Sequence, residues 1–159
     1  MASNAPRIMI AGTGSGCGKT TVTLAVLRAM QRKNIPLAAF KCGPDYIDPM
    51  FHKAVLGIPS RNLDLFFISE REVRGQIVRS IPQNGLGVIE GVMGFYDGVS
   101  GTTDTASAAH LARETGTPAI LVVRPKGQSL SLAAMLSGFR NFTENTLCGV
   151  VLNGISDAM

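Results

Sequence analysis

Five short runs of aliphatic residues, separated by longer amphipathic stretches, constrain the fold of this chain more than any other feature of its sequence. The runs cover residues 7–11, 37–41, 86–90, 119–123 and 147–152. Each is too apolar to leave one face in water, which is typical of strands in a parallel sheet that is covered on both sides. The alternation therefore predicts an α/β fold of three layers, with a mainly parallel sheet between helices.

Four amphipathic stretches are predicted to be the covering helices: residues 19–33, 69–81, 104–115 and 129–140. Ser69 and Glu72 have the S-x-x-E spacing of a capping box at the start of the second helix. Gly116 follows the third helix as a stop signal, and Arg32 with Lys33 complements the dipole at the end of the first.

Composition excludes several classes of protein. The 159 residues, 45% hydrophobic and 16% charged, suit one folded domain and exclude a disordered chain. No apolar run approaches the ~20 residues that a membrane crossing needs, and residues 1–6 lack the build of a signal peptide, so we expect a cytoplasmic protein. The 15 Lys and Arg residues against 11 Asp and Glu give a net charge of +4, with no run of basic residues. This charge pattern favours small anions over nucleic acid as binding partners.

A glycine-rich segment, residues 12–21 (the phosphate loop), joins the first apolar run to the first predicted helix. Its glycines let successive backbone N–H groups face one centre, Lys19 suits the β and γ phosphates, and Thr20 offers a hydroxyl to Mg²⁺. The strict pattern G-x-x-x-x-G-K-[ST] requires glycine where this chain has Thr13, and the glycine lies one residue earlier, at Gly12. A tight connection without a ligand is the alternative, but the position of Gly-Lys-Thr between strand and helix favours phosphate binding.

Acidic residues follow two other predicted strands, at the edge where open α/β sheets bind ligands. Asp45 and Asp48 follow the second run, Glu90 ends the third, and Asp97 lies just beyond it. Nucleotide-bound Mg²⁺ takes hard oxygen ligands, so Glu90 and one of Asp45 or Asp48 are suited to it. The three aspartates, beside proline or glycine, have an alternative as turn residues, whereas Glu90 at the end of an apolar strand has no obvious structural reason.

His52 and His110 are the only histidines, too few and too scattered for a metal site. We interpret His110 as an ordinary helix residue. His52 lies in the acidic segment, and its role stays open between the site and the core.

Four segments in a fixed order carry a resemblance: G-T-G-S-G-C-G-K-T-T, K-C-G-P-D-Y-I-D-P-M-F-H, R-N-L-D-L-F and E-G-V-M-G-F-Y-D-G. Over essentially the whole chain they resemble the N-terminal synthetase domain of the cobyrinic acid a,c-diamide synthase family. The resemblance implies a dethiobiotin-synthetase-like P-loop fold. It also implies a carbon–nitrogen ligase, a glutamine amidotransferase of cobalamin biosynthesis, that amidates the a and c carboxylates of cobyrinic acid through an acyl phosphate.

The resemblance also implies partners. ATP and Mg²⁺ are the expected cofactors, and the acceptor is cobyrinic acid or a related tetrapyrrole carboxylate. Ammonia would come from a C-terminal glutaminase domain that residues 1–159 do not include, so we expect a domain cut from a longer protein. Neither nucleic acid nor membrane is an expected partner, and a homodimer is left open.

Site roles follow from the same resemblance. Nucleotide binding is assigned to Gly12, Thr13, Gly14, Ser15, Gly16, Cys17, Gly18, Lys19, Thr20, Thr21 and, for the adenine, Asn153. Mg²⁺ contact is assigned to Thr20, Asp48 and Glu90. Catalytic roles are assigned to Lys19, Lys41, Asp45, Asp48, Glu90 and Asp97, and substrate binding to Tyr46. Arg124 and Lys126 depart from the family pattern and are left out of the site.

Three alternatives remain at this stage. A nickel-sirohydrochlorin a,c-diamide synthase shares these motifs and differs only in its tetrapyrrole. A regulatory ATPase of the MinD/ParA type would carry a lysine near the start of the loop, where this chain has Gly14. Dethiobiotin synthetase itself would read K-P after the second strand, and the long acidic segment here disfavours it.

Overall fold

A computed structural model describes residues 5–45 and 47–155, and in them six strands form one parallel sheet. The strands are β1 (Arg7–Gly12), β2 (Leu37–Cys42), β3 (Ser60–Leu63), β4 (Leu86–Glu90), β5 (Ala119–Val123) and β6 (Leu147–Leu152). Their order across the sheet is β3-β2-β4-β1-β5-β6, and every neighbouring pair is parallel. The predicted α/β class is confirmed.

The described residues contain five helices: α1 (Lys19–Arg32), α2 (Ile47–Leu56), α3 (Glu70–Ser80), α4 (Ala108–Thr115) and α5 (Leu130–Asn141). Leu27 of α1 and Leu56 of α2 pack in one apolar cluster, on one face of the sheet. Val73 of α3 and Leu111 of α4 belong to a second cluster on the opposite face, and Leu136 of α5 packs against it. Helices therefore cover both faces of the central strands, as the sequence predicted, whereas β6 leaves Cys148, Val150 and Leu152 exposed, contrary to that prediction.

Strand β1 shows why its run had to be apolar throughout. Met9 and Ala11 join one cluster and Ile10 joins the other, because successive strand side chains point to opposite faces. Burial of a large aliphatic side chain contributes about 1.5–3 kcal/mol to stability, so a polar residue on either face of β1 would be costly.

Strand β3 was not predicted, and the expectation of five strands was wrong. Its residues S-R-N-L are mostly polar, and β3 pairs with β2 alone at the edge of the sheet. Only Leu63 of β3 is buried, so this strand lacks the apolar run that identified the other five, including β6 at the opposite edge of the sheet.

Helix α2 was also missed: no helix was predicted over these residues, and a turn beside Pro49 was the alternative interpretation of Asp48. Pro49 lies in the first turn of the helix, where a missing N–H has no intrahelical partner to lose. Asp45 Oδ1 accepts from the backbone N–H of Ile47 at 2.8 Å and of Asp48 at 3.4 Å. The carboxylate thus satisfies free N–H groups at the start of the helix.

The third predicted helix begins later than expected, at Ala108 rather than Asp104. Ser107 is its N-cap and accepts from the backbone N–H of His110 at 3.1 Å. Ala106, just before it, has a φ of 60°, which is outside the helical region. The capping box of Ser69 and the left-handed stop at the end of α4 are both confirmed.

No helix among the described residues combines the length and apolar character that crossing a bilayer requires.

Candidate functional site

The phosphate loop connects β1 to α1 and depends on glycine at defined positions. Gly16 and Gly18 have φ values of 74° and 100°, which disfavour residues with a Cβ. A Cβ at Gly12 would lie 2.9 Å from Lys19 Cγ, so this position needs glycine for space. That close approach explains why the loop has a glycine at position 12.

Lys19 lies at the first position of α1 with its side chain directed back across the loop. Its Nζ donates to the carbonyl of Gly14 at 2.8 Å and to that of Met93, after β4, at 2.6 Å. Burial lowers the pKa of Lys19. The ammonium is therefore held by neutral carbonyls between two segments that follow neighbouring strands.

Glu90 is fully buried at the end of β4. Its Oε1 accepts from the Thr20 hydroxyl at 2.6 Å and from Lys41 Nζ at 3.2 Å, and its Oε2 lies 3.2 Å from His52 Nε2. Burial raises the pKa of Glu90, but the hydrogen bond from His52 and the charge of Lys41 outweigh it, so the pKa is lowered. The group is a carboxylate at neutral pH.

Lys41, at the end of β2, is buried among acceptors. Its Nζ lies 2.5 Å from Asp48 Oδ2, 3.1 Å from the Gly91 carbonyl and 3.8 Å from Asp45 Oδ2. Burial lowers the pKa of Lys41, whereas Glu90 and Asp48 raise it and determine the net upward shift. Lys41, Asp45, Asp48 and Glu90 form what we name the charge cluster.

The residues assigned to Mg²⁺ meet in this cluster. The Thr20 hydroxyl is 2.6 Å from Glu90 Oε1, and Lys41 Nζ links that same oxygen to Asp48 Oδ2. One hydroxyl and two carboxylates are hard oxygen donors of the kind that Mg²⁺ prefers, and the two carboxylates already share a cation, Lys41. The donor set therefore fits Mg²⁺.

Asp97 lies apart from the charge cluster. It is exposed, and its Oδ2 accepts from the backbone N–H of Gly94 at 2.8 Å within the segment after β4. Within residues 5–45 and 47–155, no hydrogen bond or ion pair joins it to Lys19 or Lys41.

Asn153, directly after β6, supports the phosphate loop. Its Nδ2 donates to the Cys17 carbonyl at 2.9 Å, and its backbone N–H donates to Val123 at 2.8 Å. A Cβ at Gly18 would collide with the Asn153 side chain. Tyr46, the predicted substrate residue, lies outside the described residues.

Sequence reasoning left His52 open and missed the backbone carbonyls that hold the two lysines. His52 lies four residues after Asp48, so both face the same side of α2. That spacing would have identified His52 as a site residue if the helix had been recognised. The carbonyls of Gly91 and Met93 carry no sequence signal.

A cavity of 420 Å³ opens between the segments that follow β2, β3 and β4, and we name it the apolar cavity. Its lining includes Pro44, Phe66, Phe67, Met93, Asp97 and Val99. Phe66 and Phe67 are 63% and 70% exposed, although aromatic side chains usually bury most of their surface. Exposed aromatic surface next to a polar loop is typical of a site for a ligand with apolar parts.

Comparison with known proteins decides the family. Residues 8–158 match the model of the CobQ/CobB/MinD/ParA nucleotide binding domain. The chain belongs to this family. The phosphate loop is thus part of a nucleotide-binding domain, and the resemblance found in the sequence is confirmed.

Several curated relatives carry the name cobyrinate a,c-diamide synthase. The relative from Clostridium acetobutylicum is 47% identical over 94% of this chain, and that from Thermoplasma volcanium is 46% identical over 95%. The relative from Salmonella typhimurium is 44% identical over 99%. The matched parts are 34%, 33% and 35% of those proteins, so the chain spans about a third of their length.

Proposed function

We propose that the chain is the ATP-binding synthetase domain of an enzyme that amidates the a and c carboxylates of cobyrinic acid. The observation that carries the proposal is the set of relatives named cobyrinate a,c-diamide synthase, at 44–47% identity over 94% or more of the chain. Two lysines and two carboxylates at the phosphate loop supply chemistry that suits this reaction.

The reaction needs two steps because a carboxylate does not release oxide to ammonia. In the first step an acceptor carboxylate oxygen attacks the γ-phosphorus of ATP, the bond to the β–γ bridging oxygen breaks, and ADP leaves. In the second step ammonia attacks the carbonyl carbon of the acyl phosphate, the C–O bond breaks, and inorganic phosphate leaves with one proton from the ammonia, which leaves the amide. When bound, Mg²⁺ would neutralise charge on the transferring phosphoryl group.

Each proposed role has a physical basis in this chain. Lys19 is held by the neutral carbonyls of Gly14 and Met93, which an anionic phosphate outcompetes as an acceptor. Thr20, Asp48 and Glu90 would hold the metal.

Lys41, with its raised pKa, stays cationic and stabilises negative charge that develops during phosphoryl transfer. Asp45 at 3.8 Å keeps Lys41 in place.

The acceptor would lie in the apolar cavity. A tetrapyrrole precursor presents a broad ring with apolar faces, which matches the exposed Phe66 and Phe67 on the cavity wall. Met93 lines this cavity and also accepts from Lys19, so the acceptor and the phosphates would be neighbours. We assign Tyr46 to the acceptor and Asn153 to the nucleotide on the family resemblance.

Ammonia would come from a glutaminase domain in the longer protein. The relatives are about three times as long as the matched region, which leaves room for such a domain. The same features suit nickel-sirohydrochlorin as the acceptor, so the tetrapyrrole is the part of the proposal that most needs a test.

The test is amidation by the whole protein that contains this chain. Cobyrinic acid or nickel-sirohydrochlorin is incubated with ATP, Mg²⁺ and glutamine, and mass spectrometry follows conversion of carboxylate to amide. We expect cobyrinic acid to be diamidated, with one ADP released for each amide. Exclusive amidation of nickel-sirohydrochlorin would show that this compound, and not cobyrinic acid, is the substrate. ATP hydrolysis with neither acceptor amidated would instead favour a regulatory ATPase and overturn the proposal.

A further inference from the structure

His52 is a fully buried side chain between the edge strand and the charge cluster. Its Nδ1 lies 3.0 Å from the Ser60 hydroxyl on β3, and its Nε2 lies 3.2 Å from Glu90 Oε2 on β4. The ring therefore uses both nitrogens, one on each of two strands, while α2 carries the residue itself.

The chemistry of the two partners fixes the tautomer of the ring. Glu90 accepts from Thr20 and Lys41 through Oε1, and an ionised carboxylate only accepts hydrogen bonds, so Nε2 carries a hydrogen and donates it to Oε2. In the neutral ring Nδ1 then accepts, and the Ser60 hydroxyl is its donor. Ser60 thus favours the tautomer that Glu90 needs.

We propose that His52, set by Ser60, is a positioning residue that orients the Glu90 carboxylate for metal binding. The terminal torsion of a glutamate is soft, so an unrestrained Glu90 can rotate and turn either oxygen, or both, toward Lys41. Holding Oε2 on His52 leaves Oε1 for Thr20 and the metal position. The inference rests on the Mg²⁺ assignment in the proposed function.

Helix α2 carries two residues of the proposed metal site, Asp48 and His52. Asp48, a proposed metal ligand, and His52, which orients the other carboxylate, are one turn apart on the same helix. Any shift of α2 would move both groups together.

Three substitutions of His52 separate orientation from packing. His52→Gln places an amide N–H near the Nε2 position and can still donate to Glu90. His52→Asn places its amide near the Nδ1 position and falls short of Glu90. His52→Met fills similar space and donates nothing.

The first readout is nucleotide affinity of the chain, measured by calorimetry with and without Mg²⁺. Mg²⁺ should increase the nucleotide affinity of the Gln variant to within about threefold of the wild-type increase. In the Asn and Met variants this increase should be smaller by about tenfold or more, which is the loss typical of removing a partner of a metal ligand. Affinity without metal should be equal in all folded variants. Equal losses in Gln and Met, or none in a folded Met variant, would overturn the proposal.

The second readout needs no substitution of His52 and so does not depend on whether those variants fold. Because the chain has two histidines, ¹⁵N spectra of the imidazoles contain only His52 and His110. His110→Asn, which keeps an acceptor for the Ala106 N–H, assigns the signals. We expect a single Nε2–H tautomer for His52 in the wild-type chain. In Ser60→Ala we expect a mixture of the two tautomers and a smaller increase in nucleotide affinity on addition of Mg²⁺. An Nδ1–H tautomer in the wild-type chain would overturn the inference, whereas absence of nucleotide binding in the wild-type chain would instead refute the proposed function.

Discussion

At the scale of single residues, Lys19 is the most direct test of the phosphate loop. Its ammonium contacts two backbone carbonyls, those of Gly14 and Met93, and makes no ion pair among the described residues. Lys19→Ala should weaken nucleotide binding by roughly 10- to 100-fold, since a charged hydrogen bond contributes about 1.5–3 kcal/mol. Calorimetric titration measures this, with the exposed Lys33→Ala as the matched control. Affinity equal to that of the control would exclude Lys19 from the phosphate site.

Glu90 and Lys41 give a prediction about pH. The pKa of Glu90 is lowered, so its ionised form stabilises the fold above the unfolded pKa of about 4.3, and this contribution is lost as pH falls through the folded pKa. The pKa of Lys41 is raised, so its contribution is complete below about 10.4 and is lost as pH rises through the folded value.

The destabilisation caused by Glu90→Gln should therefore be constant from about pH 6 to 9 and shrink below about pH 4. Urea unfolding of the wild type and the variant across this range measures it. A difference that instead grows steadily toward acid would show that Glu90 is not held as a carboxylate in the fold.

The sequence predicted the residues of the site better than their contacts. Glu90 was recognisable because a carboxylate ends an apolar strand, and Lys19 because a motif places it. The contact between Thr20 and Glu90 across 70 positions, and the carbonyls that hold the lysines, arise only when β1, β2 and β4 lie side by side.

At the scale of elements, the buried strands were predictable because both faces of a central strand must be apolar. The edge strand β3 and helix α2 were not, since a mostly polar edge strand and a proline in a first turn mimic loop sequence. The start of α4 was misplaced by four residues: Ser107 is its N-cap, and the Asp104 carboxylate pairs with Arg113 at 2.9 Å.

Asp45 links α2 to the charge cluster, and two substitutions separate its roles. Asp45→Ala removes the acceptor for the Ile47 N–H and should cost about 1 kcal/mol of stability, as loss of a capping side chain does. Asp45→Asn keeps that acceptor and removes the charge near Lys41. It should therefore cost only a few tenths of a kcal/mol of stability. Thermal unfolding of the two variants measures the difference. Equal melting temperatures would show that the carboxylate does not stabilise the start of the helix.

At the scale of the whole molecule, the apolar cavity tests where the acceptor binds. Phe66→Ala with Phe67→Ala removes exposed aromatic surface that no core residue needs, so stability should change little. In the whole protein the KM for the tetrapyrrole should rise about tenfold or more, with the KM for ATP unchanged, since each lost aromatic contact is expected to contribute ~1 kcal/mol. The exposed Val78→Ser on α3 is the control. A KM for the acceptor equal to that of the control would show that the acceptor does not bind in the apolar cavity.

The source of ammonia gives the last prediction. Glutamine hydrolysis by a thiol needs an accessible cysteine that forms a thiolate beside a base. Cys17 and Cys42 are buried, and burial raises the pKa of the Cys42 thiol to about 12. Cys148 is exposed on β6, where its Sγ is 3.4 Å from the Ala119 carbonyl, a neutral acceptor that does not act as a base.

We therefore expect the 159-residue chain to release no ammonia from glutamine, measured by a coupled glutamate assay. Any amidation by the chain should instead require ammonium salt, and should rise with pH as more NH₃ becomes free. Nucleotide binding should persist in the chain even where turnover is lost, because the loop and the charge cluster are complete within the described residues. Glutamine hydrolysis by the purified chain that is lost when Cys148 is replaced by serine would contradict the assignment of the glutaminase step to another domain.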